Sequence, residues 1–243
     1  GKTRLAQEAA RLARAAGDQV CWVRCPDAEG MPAWWPLRQL CRDLGADAAD
    51  VLSVPTGVDA DAARFAVYER VEALIGTAAA AQPVTIVVDD VQWADAMSVG
   101  LLRYLTTVLR ESPVWVVMTV RDEQIGAETS RLLGAIARVD GLVIDVPHLE
   151  RDDVAALVAQ VAEEDVGADA LDVLCRRTGG NPLFVSEYAR LPADQRREAI
   201  PAAVRSVLDR RLASLDPAVL EVLGYAAVAG DEIDVAFLAQ VMK

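Results

Sequence analysis

Three short runs in this sequence have the composition to handle a phosphate chain and a divalent cation. Gly1-Lys2-Thr3 stands at the head of an amphipathic stretch. At a helix start, backbone N–H groups and the positive end of the helix attract a β-phosphate. A lysine there reaches the β- and γ-oxygens, and a threonine hydroxyl ligates Mg²⁺. The second run, Val84-Thr85-Ile86-Val87-Val88-Asp89-Asp90, is apolar and closes on two acids. Ligands bind at the C-terminal edge of an open parallel sheet. There Asp89 would hold the Mg²⁺ shell through water, and Asp90 would orient or deprotonate the water that attacks the γ-phosphoryl group. The alternative is that two acids merely end a strand and cap the next turn of chain. The third run, Val117-Met118-Thr119-Val120-Arg121, puts a guanidinium at the same edge, able to sense a γ-phosphate by charge-assisted hydrogen bonds. The alternative for Arg121 is a surface ion pair with Asp122 or Glu123. The candidate catalytic groups are therefore Asp90, Lys2 and Arg121, and the candidate metal ligands Thr3 and Asp89.

A fourth run, Thr178-Gly179-Gly180-Asn181-Pro182-Leu183-Phe184, fits a corner between two helices. Two glycines stop the first, and Pro182 sits at or near the first turn of the next. A structural corner explains those residue types completely.

The elements that must carry these runs can be read from periodicity. Leu5, Ala9, Leu12, Ala13 and Ala16 recur at helical spacing up to Gly17, and Val20 to Cys25 reads as a short strand. A loop punctuated by Pro26, Gly30, Pro32 and Pro36 leads to a helix over 37–44, and a long helix over 59–80 begins at Asp59. Strands are expected over 84–89, 114–120 and 142–146, with helices over 98–110 and 129–139 between them. The first two of these strands are continuous apolar runs, the pattern of parallel strands buried on both faces and joined by right-handed crossovers. The fold class is α/β. After Pro147 only helices are expected, over 150–163, 168–178, 183–190, 202–214, 217–229 and from Asp234, with a polar connector over 191–199.

Composition bounds the function. The chain has 243 residues and a formal charge of −13, with no segment that gathers its basic residues, so direct nucleic-acid binding is disfavoured. Its apolar runs are far shorter than the roughly 20 residues that cross a bilayer, and its start does not resemble a signal peptide, so a cytoplasmic setting is expected. Cys21, Cys25, Cys41 and Cys175 lack C-x-x-C spacing and the single histidine, His148, is far from them in sequence. They read as small core hydrophobes rather than metal ligands. Trp34, Trp35 and Trp93 read as packing of an irregular loop on the sheet in preference to ligand stacking.

Taken together, Gly1-Lys2-Thr3-Arg4-Leu5, Trp34-Trp35-Pro36-Leu37-Arg38, Asp89-Asp90-Val91-Gln92-Trp93-Ala94-Asp95, Thr119-Val120-Arg121-Asp122 and Gly179-Gly180-Asn181-Pro182-Leu183-Phe184 stand in the order of one family. The chain resembles the STAND branch of the AAA+ ATPases, in particular the nucleotide-binding core of large bacterial transcription regulators of the LuxR type and the antibiotic-regulatory (SARP) type. The resemblance implies an AAA+-like P-loop core over 1–147, an all-helical lid over 148–215 and the start of a winged helix over 216–243. It implies ATP or ADP with Mg²⁺ as cofactors, contacted by Gly1, Lys2, Thr3, Arg4, Leu5, Asp89, Arg121 and, from the lid, Pro182. Lys2 and Thr3 correspond to Walker A, Asp89 and Asp90 to Walker B, and Arg121 to sensor one. It further implies a slow regulatory ATPase that signals to attached or partner domains, with self-association in the ATP state. The alternative is a module that binds nucleotide, or acts as a scaffold, without hydrolysis. Strand one and the first half of the phosphate loop are expected to precede Gly1. Residues 1–243 by themselves would then have an unpaired central position in the sheet and an incomplete phosphate cradle.

Overall fold

Ala6, Ala10 and Ala13 fall every three to four residues, and side chains that small let a helix lie close on a sheet. In the computed structural model they are the buried residues of α1 (Lys2–Ala16). Gly17 ends the helix at φ 98, a left-handed cap that favours glycine. The structure describes residues 1–28, 31–54, 57, 59–122, 125–162, 166–193, 195–196, 199–213, 215–229 and 240. Apart from Gln240, the helix expected from Asp234 lies outside them, as does nearly half of the segment expected to begin a winged helix.

The chain divides into two compact units, Gly1–Val146 and Pro147–Lys243. In the first, β1 (Gln19–Arg24), β2 (Val84–Asp89) and β3 (Val114–Met118) form a three-stranded parallel sheet in the order β1-β2-β3. The register pairs Arg24 with Asp89 and Val88 with Met118. Every residue of β2 is buried, as its unbroken apolar run requires. Alternate side chains go to opposite faces. Val87 packs with Ala6 and Ala10 of α1, whereas Val84, Ile86 and Val88 join a larger core with α2 (Trp35–Asp43), α4 (Ala60–Ala81) and α5 (Ala96–Val108). That core also takes Leu132 of α6 (Ala127–Arg138). A short helix that periodicity does not announce, α3 (Ala48–Val51), is started by Asp47, whose carboxylate accepts from Ala49 N–H.

Two strand expectations are corrected. The 114–120 run has the pattern of a strand buried on both faces, but β3 ends at Met118, stands at the sheet edge and leaves Trp115 62% exposed. The segment over 142–146 is no strand: Leu142, Val143 and Ile144 are 84%, 64% and 69% exposed and take no part in the ladder. Its β-branched composition suits a strand, but strand structure requires a hydrogen-bonding neighbour, and among the described residues none flanks it.

The second unit is helical. α7 (Arg151–Ala162), α8 (Ala168–Thr178) and α9 (Pro182–Ala189) enclose a core of Val154, Val158, Leu171, Leu174, Val185 and Tyr188, completed by Val204 of α10 (Ala202–Ala213). The last described helix, α11 (Pro217–Ala229), exposes Val219, Leu223 and Tyr225. Between α8 and α9, Gly179 and Gly180 turn the chain at φ 55 and φ 71, and Asn181 caps α9 by accepting from Leu183 N–H at 3.0 Å. Leu149 donates its N–H to the Gly180 carbonyl at 2.8 Å, and His148 Nδ1 lies 2.7 Å from the Gly179 carbonyl. The double-glycine corner is thus stitched to the chain that precedes α7.

Candidate functional site

The C-terminal ends of β2 and β3 meet the first turn of α1, and there the polar groups converge. Asp89, almost wholly buried, uses one oxygen twice: Oδ1 accepts from Thr3 Oγ1 at 3.0 Å and from Thr119 Oγ1 at 2.7 Å. The Thr119 hydroxyl in turn accepts from the Asp90 N–H at 2.8 Å. One threonine at the end of β3 therefore fixes both acids at the end of β2. Regular pairing carries the chain to this point, since Thr119 N–H donates to Val88 O and Val91 N–H to Thr119 O.

Asp90 sits at φ 58, in the left-handed region that aspartate tolerates better than most residues, and this turns the chain out of β2 into a 3-10 turn over Val91–Trp93. Its carboxylate is thereby brought back over the sheet edge. Oδ1 accepts from Gln92 Nε2 at 3.0 Å and from Arg121 Nε at 3.2 Å, and Gln92 Oε1 accepts from the Arg121 N–H at 3.1 Å. Of the two partners expected for a merely superficial Arg121, Asp122 instead faces Lys2, at 4.0 Å, and Glu123 lies outside the described residues. That Lys2–Asp122 pair is exposed and long, worth little, and leaves the ammonium available. Next, Asp95 caps α5, accepting from Ser98 N–H at 3.0 Å and from Ser98 Oγ at 2.6 Å.

The structure thus brings Lys2, Thr3, Asp89, Asp90 and Arg121 together within the first unit. Gly1 is beside them, and a Cβ added to it would stand 3.3 Å from Val146 Cγ1. Arg4 and Leu5 are exposed further along the first turn of α1 and make no hydrogen bond to the acids. Pro182 belongs to the second unit, as the first residue of α9. Sequence reasoning missed Thr119 and Gln92. Both stand inside the quoted motifs, but only the β2–β3 pairing shows what their side chains reach.

Burial pushes the thiols of Cys21 and Cys25 up to about 12, and the carboxylates of Asp95, Asp90 and Asp89 add to the rise at Cys25. The thiols are inert core groups here, and Trp34 packs edge-on against Tyr68 with ring centroids 6.1 Å apart.

The donor set fits magnesium. The Thr3 hydroxyl donates to Asp89 at 3.0 Å, which leaves its oxygen lone pairs to ligate Mg²⁺ while the Asp89 carboxylate would accept from water in the ion's shell. Among the described residues no group of three or more His, Cys, Asp or Glu could hold a metal by itself. An ion here would take most of its shell from water and phosphate, as Mg²⁺ commonly does.

Residues 1–117 match the family model described as the AAA ATPase domain. No curated protein matches the chain. The match supports a P-loop AAA-type ATPase domain over this part of the chain, a nucleotide-binding and hydrolysing module of the kind that typically works with Mg²⁺. Among the described residues no helix is long and apolar enough to cross a membrane.

Proposed function

We propose that this chain is the ATP-binding and hydrolysing switch module of a multidomain bacterial transcription regulator of the STAND type. The carrying observation is the 3.0 Å contact between the Thr3 hydroxyl and Asp89, residues 86 positions apart that meet at a helix start and a strand end. When bound, Mg²⁺ neutralises charge on the β- and γ-phosphates. Thr3 and Asp89 would hold it, Asp89 through water, while Lys2 balances phosphate charge and the first turn of α1 offers its N–H groups. Asp90 orients or deprotonates the attacking water, and Arg121 senses the γ-phosphate. Pro182 and the helical second unit serve as a lid on the adenine, so that attached domains read the nucleotide state. A lid responds only if its two positions bind nucleotide with different affinity.

Arg121 and Gln92 both engage Asp90 Oδ1, so one oxygen of the proposed base is occupied. A triphosphate attracting Arg121 would free Asp90, and an ADP-bound protein would keep it tied. The same contact favours the second reading, a module that binds nucleotide and signals without hydrolysis. Asp90→Asn in the full-length protein separates the two. Loss of a general base lowers turnover by roughly 10²–10⁴-fold with nucleotide binding retained. Unchanged phosphate release would remove Asp90 from the chemistry, and absence of any phosphate release from the unaltered protein under activating conditions would establish the second reading.

A further inference from the structure

Away from the converging acids, α4, α5 and α6 enclose an open groove of about 510 Å³. Its floor is aromatic: the buried Tyr68 ring packs against Phe65 and Tyr104 at centroid distances of 5.7 and 5.4 Å, with planes tilted by 56° and 34°, and Phe65 is half exposed. Gly100 shapes that floor, because a Cβ there would stand 2.5 Å from Tyr68 Oη. Three arginines, Arg64, Arg103 and Arg131, line the opening in a chain whose net charge is −13.

Two of the three are committed, Arg64 to Asp61 at 3.0 Å and Arg131 to Glu128. Among the described residues the Arg103 guanidinium forms no ion pair or hydrogen bond, and the Tyr68 hydroxyl has no partner either. The Tyr104 hydroxyl, by contrast, donates to Glu72 and is taken. The groove therefore offers an aromatic floor with one half-exposed ring face, one free phenolic donor and one free cation, and the charges of its remaining groups cancel in pairs. Its volume falls within the range of small-molecule sites, which are mostly apolar with a few polar groups that fix orientation. Guanidinium binds carboxylate and sulfonate by paired hydrogen bonds, and its face stacks on rings.

We infer that this groove is a binding site for a small planar organic anion, an aromatic carboxylate or sulfonate, whose ring lies on Phe65 and whose acid group takes Arg103 and the Tyr68 hydroxyl. The site shares no residue with the Thr3–Asp89 constellation and does not rest on the nucleotide reading.

Titration calorimetry of the full chain with sodium 1-naphthoate tests it, with 1-naphthalenemethanol as the uncharged counterpart and Arg110→Ala, which removes a cation outside the groove, as control. The expected result is one saturable site for naphthoate, about tenfold weaker binding of the alcohol, about tenfold loss in Arg103→Ala and about threefold loss in Tyr68→Phe. Arg110→Ala should bind as the unaltered chain does, and saturating Mg·ADP should leave naphthoate affinity unchanged. The exposed Arg103 can be removed without disturbing the core, so the test does not depend on how Tyr68→Phe folds. Equal losses in Arg103→Ala and Arg110→Ala, equal affinity for acid and alcohol, competition by ADP, or absence of saturation would each overturn the site. Tighter binding of an acidic phenylalanine-containing peptide that displaces naphthoate would also overturn it, in favour of a protein partner.

Discussion

Thr119 is the residue on which the geometry of both acids depends. Its hydroxyl donates to Asp89 and accepts from the Asp90 backbone in a buried place, so replacing it leaves a polar group on each side without its partner. Thr119→Val keeps the shape and the strand propensity and removes only the hydroxyl. It is expected to cost about 1–3 kcal/mol, read as a lower urea midpoint with an unchanged slope. A change under a few tenths of a kcal/mol would mean that water replaces the threonine. This role was not legible in the sequence. A threonine inside Val-Val-Met-Thr-Val is what any strand prefers, and its partners come from a strand 30 positions away. The acids themselves were legible, because an apolar run that ends in two carboxylates is hard to reconcile with burial unless something at that edge needs charge. That Arg121 closes on Asp90 rather than on its sequence neighbours also required knowing that β2 and β3 are adjacent.

At the scale of elements, the strands show where pattern ceases to decide structure. Val84–Asp89 and the 142–146 segment are both rich in β-branched residues, yet only the first has neighbours on both sides and becomes a fully buried strand. Burial on two faces is a property of the sheet, and no window of sequence contains it. The helix boundaries were more legible, because capping chemistry is local. Asp59 accepts from N–H groups in the first turn of its helix and Gly17 and Gly179 take the left-handed caps, whereas α5 begins at Ala96 on an Asp95 cap, two residues before the expected 98. The corner between α8 and α9 depends on a different property of glycine. Gly180 has φ 71, and an added Cβ would stand 2.2 Å from the Leu149 carbonyl oxygen. Gly180→Ala must strain the backbone and break the Leu149–Gly180 bond, so it is expected to cost about 2 kcal/mol or more and to lower the thermal midpoint. A midpoint equal to that of the unaltered chain would show that the close approach is not held in solution.

For the molecule as a whole, buried acid groups set an alkaline limit to stability. The thiols of Cys21 and Cys25 ionise at about 9 in an exposed chain and are pushed up to about 12 by burial. Tyr104 is also raised to about 12, first by its hydrogen bond to Glu72. The sign comes from linkage: the folded chain holds these protons more tightly than the unfolded one, so their stabilising contribution is complete below about pH 9 and is lost as the pH rises toward 12. Denaturant midpoints should fall steadily across that window, and Cys21→Ala should flatten the fall. A profile unaffected by the cysteine would assign the loss to other groups. The central claim, that Thr3 and Asp89 meet to receive a magnesium-bound triphosphate, is tested most directly by nucleotide affinity measured with and without Mg²⁺ in the full-length protein and in Thr3→Val. The unaltered protein is expected to bind a fluorescent ATP analogue about tenfold tighter with Mg²⁺, and Thr3→Val to show little or no such gain while still binding the nucleotide without metal. An equal magnesium gain in both proteins would contradict the account.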